Sequence, residues 1–534
     1  MMHRVRLDAG EWSARSPGAP PWLGRSAWMA ALLSALLSAR LSLAPSAHAS
    51  PLFELAGDAG GAGGFAARHT GPGGFSTYFN PSLLPLATPQ LSVRAMILLE
   101  RIDIHVAPRN DASTLVPVTA VGAFHDDGNF TPVTPPPVPT PWLQSGCTSD
   151  CDTGLVDSPA SPRPRQAQGG GRQTVVYAGL GLVQPIVDRR LVLGFSMLVP
   201  TTTFIGAHAF YNDEREQYFT NSLHPELYGD RLTPLSVAFG AGSEILEGLS
   251  VGLSFSLNLN NGARTPTFVP EATAYEELEL SNRISVQPSV APHLGVTYRP
   301  IDAVGLTATL HTEQALEVEA AFSSLLPDGS EQLAVRRFTH HFVPLTVSLG
   351  ASYSLQLDDH TLSTVAGINF ARWSTYRDRH NVVPTGRSRF SDRFQPTVGL
   401  AHAMGPWTSG VQMTWLPSPV PTQAGRSNYV DSDRWGFAAT LRRRVVLGGV
   451  AIQVGVAVQA HHLVHRSHSK RRTEVGPPLA DAVVDEVPDN AVEKLDPDQP
   501  VEPRIGLQTN NPGFPGFASS GWILGGSLDL TVEL

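Results

Sequence analysis

Gly248-Leu249-Ser250-Val251-Gly252 has the Gly-x-Ser-x-Gly spacing of a nucleophile elbow. That chemistry needs a strand, a sharp turn and a helix, so that the serine oxygen stands free to attack. Ser250 instead opens a long alternating strand, and no helical pattern follows. Gly61-Ala62-Gly63-Gly64-Phe65-Ala66 superficially matches a dinucleotide loop, but it lacks a preceding strand and a following acidic residue. Cys147 and Cys151 sit close together in a Pro-rich stretch, and in an exported chain they read as a small surface disulfide. Without nearby His the two thiols do not complete a zinc shell. No nucleotide, metal or other cofactor is called for.

The strand that holds Ser250 says more than the motif. From Leu249 to Asn260 every odd position is apolar and every even position is Ser, Gly or Asn. Successive side chains of a strand point to opposite faces, so one face is oily and the other wet. This is the pattern of a strand crossing a membrane in a closed barrel, greasy outside and hydrated inside. Further alternating segments fall near 91–105, 173–184, 190–202, 231–243, 289–299, 303–316, 335–356, 361–376, 393–403, 407–417, 434–446, 450–465 and 519–534. The connections between them alternate. Short ones lie near 185–189, 244–248, 300–302, 357–360, 404–406 and 447–449. Long ones span 106–172, 203–230, 261–288, 317–334, 377–392, 418–433 and 466–518. Short turns on one side and long loops on the other are the habit of outer-membrane barrels. An even strand count closes the sheet without an edge. Both patterns predict an all-β fold, a 14-stranded antiparallel transmembrane β-barrel over 91–534. The loops 106–172 and 466–518 are expected to be disordered.

Residues 1–49 read as an export signal. Arg4, Arg6, Arg15 and Arg25 precede an apolar stretch from Ala27 to Ala44, and Ala47-His48-Ala49 fits a small-x-small cleavage site. Arg40, in the middle of the stretch, argues against an uncleaved anchor. Removing five Arg and two acids would change the formal charge from −9 to −12. Such a charge disfavours nucleic acid as a partner. Residues 50–90 are Gly-rich and irregular, end in Asn80-Pro81-Ser82, and suit a compact hatch, or plug, within the lumen.

Several segments resemble, in order, those of the FadL family of outer-membrane hydrocarbon and long-chain fatty acid transporters. The Gly-rich stretch ending in Asn80-Pro81-Ser82 is similar to that family's hatch and Asn-Pro-Ala motif. Pro292-His293-Leu294-Gly295-Val296-Thr297-Tyr298-Arg299-Pro300 resembles its Gly-Val-x-Tyr-Arg-Pro strand and turn. Phe370-Ala371-Arg372-Trp373-Ser374-Thr375-Tyr376 resembles its Trp-Ser-x-aromatic strand. Ser418-Pro419-Val420-Pro421 with Asp431-Ser432-Asp433-Arg434 is similar to its Ser-Pro-Val-Pro loop. Ser82 stands where that motif has Ala, and Leu534 where barrels favour a terminal aromatic. The resemblance implies a barrel plugged by its N-terminus in the outer membrane of a Gram-negative bacterium. It also implies uptake of fatty acids or related hydrocarbons.

The expected site residues follow. Asn80 and Pro81 belong to the plug, which must shift for passage. Pro200 ends the third strand; either it merely terminates the strand, or, as the resemblance implies, it marks a lateral exit into the membrane. The loop after it carries Phe204, Phe210, Tyr211 and Phe219, which suit either a capture groove for hydrophobic ligand or packing within the loop and at the interface. Arg94, with Val93 and Ala95 on the opposite face, is the inward arginine best placed to pair with a ligand carboxylate or with an acid of the plug. The run His461, His462, His465, Arg466, His468, Lys470, Arg471, Arg472 has no defined metal geometry, and contact with lipopolysaccharide phosphates suits it better. The expectation is therefore a non-enzymatic, monomeric transporter whose partners are hydrophobic small molecules and outer-membrane lipid. The rivals are a general porin, a surface-adhesive barrel, and a barrel-embedded hydrolase, whose Ser/His pair the spacing does not show.

Overall fold

The computed structural model describes residues 51–58, 64–107, 122–124, 130–132, 172–201, 223–225, 227–228, 235–258, 262–272, 275–286, 289–325, 331–379, 381–425, 427–470, 513 and 516–534. The expected signal sequence, both cysteines, and Phe204, Phe210, Tyr211 and Phe219 lie outside these residues. So do most of loops 106–172 and 466–518.

In chain order the strands are β1 (Gln90–Val106), β2 (Gly122–Phe124), β3 (Phe130–Pro132), β4 (Arg172–Val187), β5 (Leu191–Pro200), β6 (His224–Pro225), β7 (Ser236–Leu246), β8 (Leu249–Asn258), β9 (Gly262–Ala272), β10 (Tyr275–Val286) and β11 (Ser289–Ile301). They continue as β12 (Val304–His311), β13 (Gln314–Leu325), β14 (Glu331–Val343), β15 (Leu345–Leu357), β16 (His360–Arg372), β17 (Arg393–Met404), β18 (Trp407–Leu416), β19 (Tyr429–Val430), β20 (Arg434–Leu447), β21 (Val450–Ser469) and β22 (Gly516–Glu533). Fourteen of them close into one barrel in the order β1-β22-β21-β20-β18-β17-β16-β15-β12-β11-β8-β7-β5-β4. Each barrel pair is antiparallel, and β1 joins β22 to close the ring. The expected 14-stranded barrel is borne out, and the alternation in the sequence is its cause. Along β1, Leu91, Val93, Ile97 and Leu99 face outward while Gln90, Ser92 and Arg94 are buried within. The outward apolar run of nine residues ends at exposed Arg101, close to the roughly 9–11 residues a tilted strand needs to cross the hydrocarbon.

At the level of Arg101 the registers join outward-facing residues into a row: Arg101 opposite Trp522, Trp522 opposite His462, His462 opposite Trp435, and Trp435 opposite Trp415. The His462–Trp522 and Trp415–Trp435 rings lie 4.4 Å apart. A ring of amphipathic aromatics at one height marks a membrane–water boundary.

Two long connections differ from expectation. Residues 261–288 and 317–334 read as loops, and 335–356 as one strand. Instead β9, β10, β13 and β14 form a second sheet in the order β14-β13-β10-β9. This order repeats that of β15, β12, β11 and β8, the barrel strands that run into them, so four staves continue past the rim. Pro344 separates β14 from β15, since proline has no N–H to give the ladder. Part of the extension does alternate, with Leu316, Val318, Ala320 and Phe322 of β13 against Glu317, Glu319 and Ser323, so the stretch read as a loop carried a strand signal.

The basic His-rich run also differs. It continues β21, where a register shift between Leu463 and Arg466 allows both His461 and His468 to be buried. Arg466 donates to Ser418 Oγ (2.9 Å) and the Val420 carbonyl (2.7 Å), and Lys470 donates to the carbonyls of Gly425 and Ser427. These cations tie β21 to the β18–β20 connection, so they are not presented to lipid phosphate. Arg471 and Arg472 lie outside the described residues.

Candidate ligand-binding site

Residues 51–58 and 64–87 meet inward residues of strands on several sides of the ring. They comprise helix α1 (Pro51–Ala56), the short helix α2 (Ser76–Phe79) and a 3-10 turn, Pro81–Leu86. Ala66 N donates to Gln412 on β18 (3.0 Å), and His69 Nδ1 lies 2.8 Å from Thr307 Oγ1 on β12. Arg94 on β1 bonds to Asp58, and Ser82 Oγ meets Thr297 Oγ1 on β11 (2.7 Å). The segment is thus bonded to strands on several sides of the closed ring. Burial, with Arg68 next to it, lowers the His69 pKa to about 4, so that ring is neutral where it bonds Thr307.

The segment is locked at its Asn-Pro-Ser turn. Asn80, fully buried, accepts from Ser82 N (3.1 Å) and Ser82 Oγ (2.6 Å), and its Nδ2 donates to the Arg68 carbonyl (2.8 Å). Asn80 thus caps the 3-10 turn whose first residue is Pro81, a position where proline's missing N–H costs nothing. Two wall glycines make room for it. A Cβ on Gly252 would lie 2.3 Å from the Pro81 carbonyl carbon, and one on Gly295 would lie 2.1 Å from Asn80 Oδ1.

Two charged clusters flank the turn. Arg94 Nη2 bonds Asp58 (2.9 Å) and Asp529 (3.2 Å), and its guanidinium stacks 3.9 Å over the Phe75 ring. Arg442 completes the set against Asp529 at 3.2 Å. Of the two partners expected for Arg94, a ligand carboxylate or an acid of the N-terminal segment, Asp58 of that segment is the one beside it, with Phe75 against its guanidinium. Elsewhere Glu54 accepts from Arg68 (2.5 Å) and from the Tyr78 hydroxyl (2.6 Å).

A cavity of about 110 Å³ lies between this segment and the long-connection end. Leu55, Phe65 and Phe79 of the segment line one side of it. Phe342, Trp373, Leu416, Leu227 and Tyr228 contribute further apolar surface, and Arg434, Asp431, Asn369 and His461 the polar part. Trp373 Nε1, Asn369 Oδ1, Arg434 Nε and both His461 nitrogens are buried without a hydrogen-bond partner. Buried polar atoms are normally paired, so a cluster of unpaired ones in one cavity wall points to something that fills it.

The lumen beside the cavity is apolar at this level. Leu98, Ile102 and Ile104 of β1, Val175 and Tyr177 of β4, and Ile523 of β22 pack with Leu52, Phe53 and Phe75 of the segment. Leu223 and Tyr228, the described end of the connection carrying the apolar loop, join the same cluster. So β1 changes face character along its length, polar within at Arg94 and apolar within at Ile102.

Pro200 is the last residue of β5, opposite Tyr177, and the β4–β5 ladder is continuous from that pair to Pro185. The β5–β7 ladder stops at Leu198 opposite Ser236, two residues short of it. Trp373 and Arg434 appear in the sequence motifs above, yet neither was singled out as a site. Alternation in β20 held the signal, because Trp435 and Phe437 facing outward turn Arg434 inward.

The barrel does bring a Ser/His pair together, contrary to expectation. His293 Nε2 lies 2.9 Å from Ser256 Oγ. His293 Nδ1 has no partner to orient the ring, and both residues are buried, the imidazole 4.3 Å from that of His311. A triad needs a third group and an open nucleophile. Ser250 likewise is a buried strand residue.

No family model matches the chain, and no curated protein matches it. Among solved structures, a Pseudomonas aeruginosa FadL homologue is similar at 12% identity and TM-score 0.49, over 92% of this chain and 98% of that one. The P. putida toluene transporter TodX is similar at 11% identity and TM-score 0.41, over 86% and 94%. The Ralstonia pickettii toluene transporter TbuX is similar at 11% identity and TM-score 0.38, over 92% and 99%. Likenesses this distant carry no argument about function.

Proposed function

We propose that the chain is an outer-membrane transporter that admits hydrophobic compounds through a barrel closed by its N-terminal segment. The cavity between that segment and the long-connection end carries the reading: apolar residues line much of it, and unpaired polar atoms, the donors Trp373 Nε1 and Arg434 Nε among them, lie on one wall. Such a cavity suits an apolar body with one polar acceptor group, such as a carboxylate or carbonyl. An apolar cavity of roughly 150 Å³ holds benzene, so this smaller one, about 110 Å³, takes a short stretch of alkyl chain. A longer chain would extend beyond it.

In this reading the apolar connection with Phe204, Phe210, Tyr211 and Phe219 collects the compound outside, and Leu223 and Tyr228 continue that surface inward. Asn80 and Pro81 form the closure that yields for passage. A lateral way out belongs at Pro200, beyond the end of the β5–β7 ladder.

Arg434→Met tests the polar wall. Purified protein loaded with a long-chain alkyl sulfonate should retain about tenfold less in the variant, as the loss of one charge-assisted contact implies. Equal retention would remove Arg434 from the site. Brisk swelling of liposomes in small sugars with the intact protein would instead favour a general porin.

The same site predicts a pH dependence. Burial raises the Asp431 carboxyl to about 6, against the opposing pull of Ser418 and Arg434. Below that pH Asp431 is neutral and the Arg434 charge is free for an anion; above it the carboxylate repels one. Alkyl sulfonate does not titrate here, so its retention should fall several-fold from about pH 5 to about pH 7, on the scale of one pKa unit. Asp431→Asn should flatten the profile.

A further inference from the structure

The segment from Arg372 to Arg393 holds six arginines and two aspartates in a chain whose net charge is −9. Both aspartates are occupied. Asp378 accepts from Val382 N (2.9 Å) and from the Tyr429 hydroxyl (3.0 Å), and Asp392 accepts from Ser374 N (2.8 Å). Two of the arginines are also engaged, Arg379 on the Pro225 carbonyl (2.9 Å) and Arg393 on the Ser418 carbonyl (2.7 Å). Arg372, Arg377, Arg387 and Arg389 are exposed and have no acidic partner among the described residues.

The scaffold beneath them is rigid. Tyr376 and Phe390 stack 4.1 Å apart at an interplanar angle of 7°, against Phe342, Trp373 and Val420. Arg377 and Arg389 each follow or precede a member of that stack, so their backbones are held by it. The place is also specific. Phe370 and Phe394, paired at 5.3 Å on the outward face, stand at the ends of β16 and β17. Arg372 follows Phe370 by two residues on the same face. Exposed Val382 and Val383 add apolar surface to the connection. A cationic surface set directly above lipid-facing aromatics lies at headgroup height.

We infer that the β16–β17 connection is a binding site for the phosphorylated headgroup of an outer-leaflet glycolipid, held by Arg372, Arg377, Arg387 and Arg389. Guanidinium forks match phosphate oxygens bidentately and are weakly hydrated, which suits a headgroup more than a dissolved ion. The inference rests on the barrel lying in an outer membrane and not on what its lumen carries.

The test uses the full chain in detergent micelles, with bisphosphorylated lipid A and its dephosphorylated counterpart as probes. Native mass spectrometry reads the bound lipid. The intact protein should retain the phosphorylated lipid preferentially. The combined variant Arg372→Gln, Arg377→Gln, Arg387→Gln and Arg389→Gln should retain about thirty-fold less, the scale of four exposed charge contacts. Arg189→Gln with Arg190→Gln, on the opposite end of the barrel, should leave retention unchanged. Heat-modifiable gel migration checks that each barrel is folded, and single substitutions replace the combined variant if it is not. Equal retention by the combined variant and the intact protein, or equal binding of the two lipids, overturns the site. Retention of alkyl sulfonate in the lumen is unaffected by either outcome.

Discussion

Arg94→Met should release the N-terminal segment from the lumen while leaving the barrel closed. Asp529 keeps Arg442 at 3.2 Å after the change, but Asp58 loses the cation at 2.9 Å that offsets its burial. Removing one partner of a buried ion pair costs about 3–5 kcal/mol, because the remaining charge is left unpaired. Asp58 sits on the segment and not on the wall, so the cheapest relief is for the segment to withdraw. A shift of that size raises the open population by roughly two to four orders of magnitude. The measurement is conductance in planar bilayers, expected to rise from near zero to sustained openings, with heat-modifiable migration of the barrel unchanged. Asp58→Asn in the same chain should restore much of the closure, because the buried charge is gone. Unchanged conductance in Arg94→Met would show that the segment is held without this network.

Gly252→Val acts on the same closure from the wall. Valine suits a strand, so the change does not weaken β8 as a stave. Its side chain, however, starts where Pro81 and the Ser82 amide already lie, 2.3 and 2.5 Å from a Cβ. Those atoms are backbone in a capped turn and cannot rotate aside. The turn must move, and the Asn80 bonds to Ser82 and to the Arg68 carbonyl go with it, each worth about 1 kcal/mol net. Limited proteolysis should cut near Asn80 in the variant and not in the intact protein, and retention of alkyl sulfonate should fall because the segment forms one side of the cavity. Protection equal to the intact protein would mean that the turn adapts and that Gly252 is not a spacer.

The two substitutions separate charge from shape as the fastening. Their residues lie on different strands, β1 and β8, four places apart around the ring, and neither lines the cavity. A barrel closed in this way could open by small movements of the segment without disturbing the strand ladders.

Much of the barrel was legible because each stave meets two different solvents. Lipid on one side and a wet lumen on the other force an alternation with a period of two, seen in β8, β15 and β22. Alternation fails as a guide where that contrast ends. Residues 51–58 and 64–87 contribute no strand to the ring and carry no such pattern. Arg94 was recognisable as inward from Val93 and Ala95, but its partners were not, since Asp529 lies 435 residues away in the chain. The same holds for the cavity, whose lining comes from seven or more separate stretches.

By itself, then, the amino-acid order determined the number of staves, their faces and the side on which the long connections lie, because these depend on local alternation and turn length. Only the tertiary structure decided that Arg94 fastens the segment, that Trp373, Arg434 and His461 share a cavity, and that Ser256 meets His293. Those meetings are set by register across a closed ring and by the packing of a segment within it, and neither leaves a periodic trace in the chain.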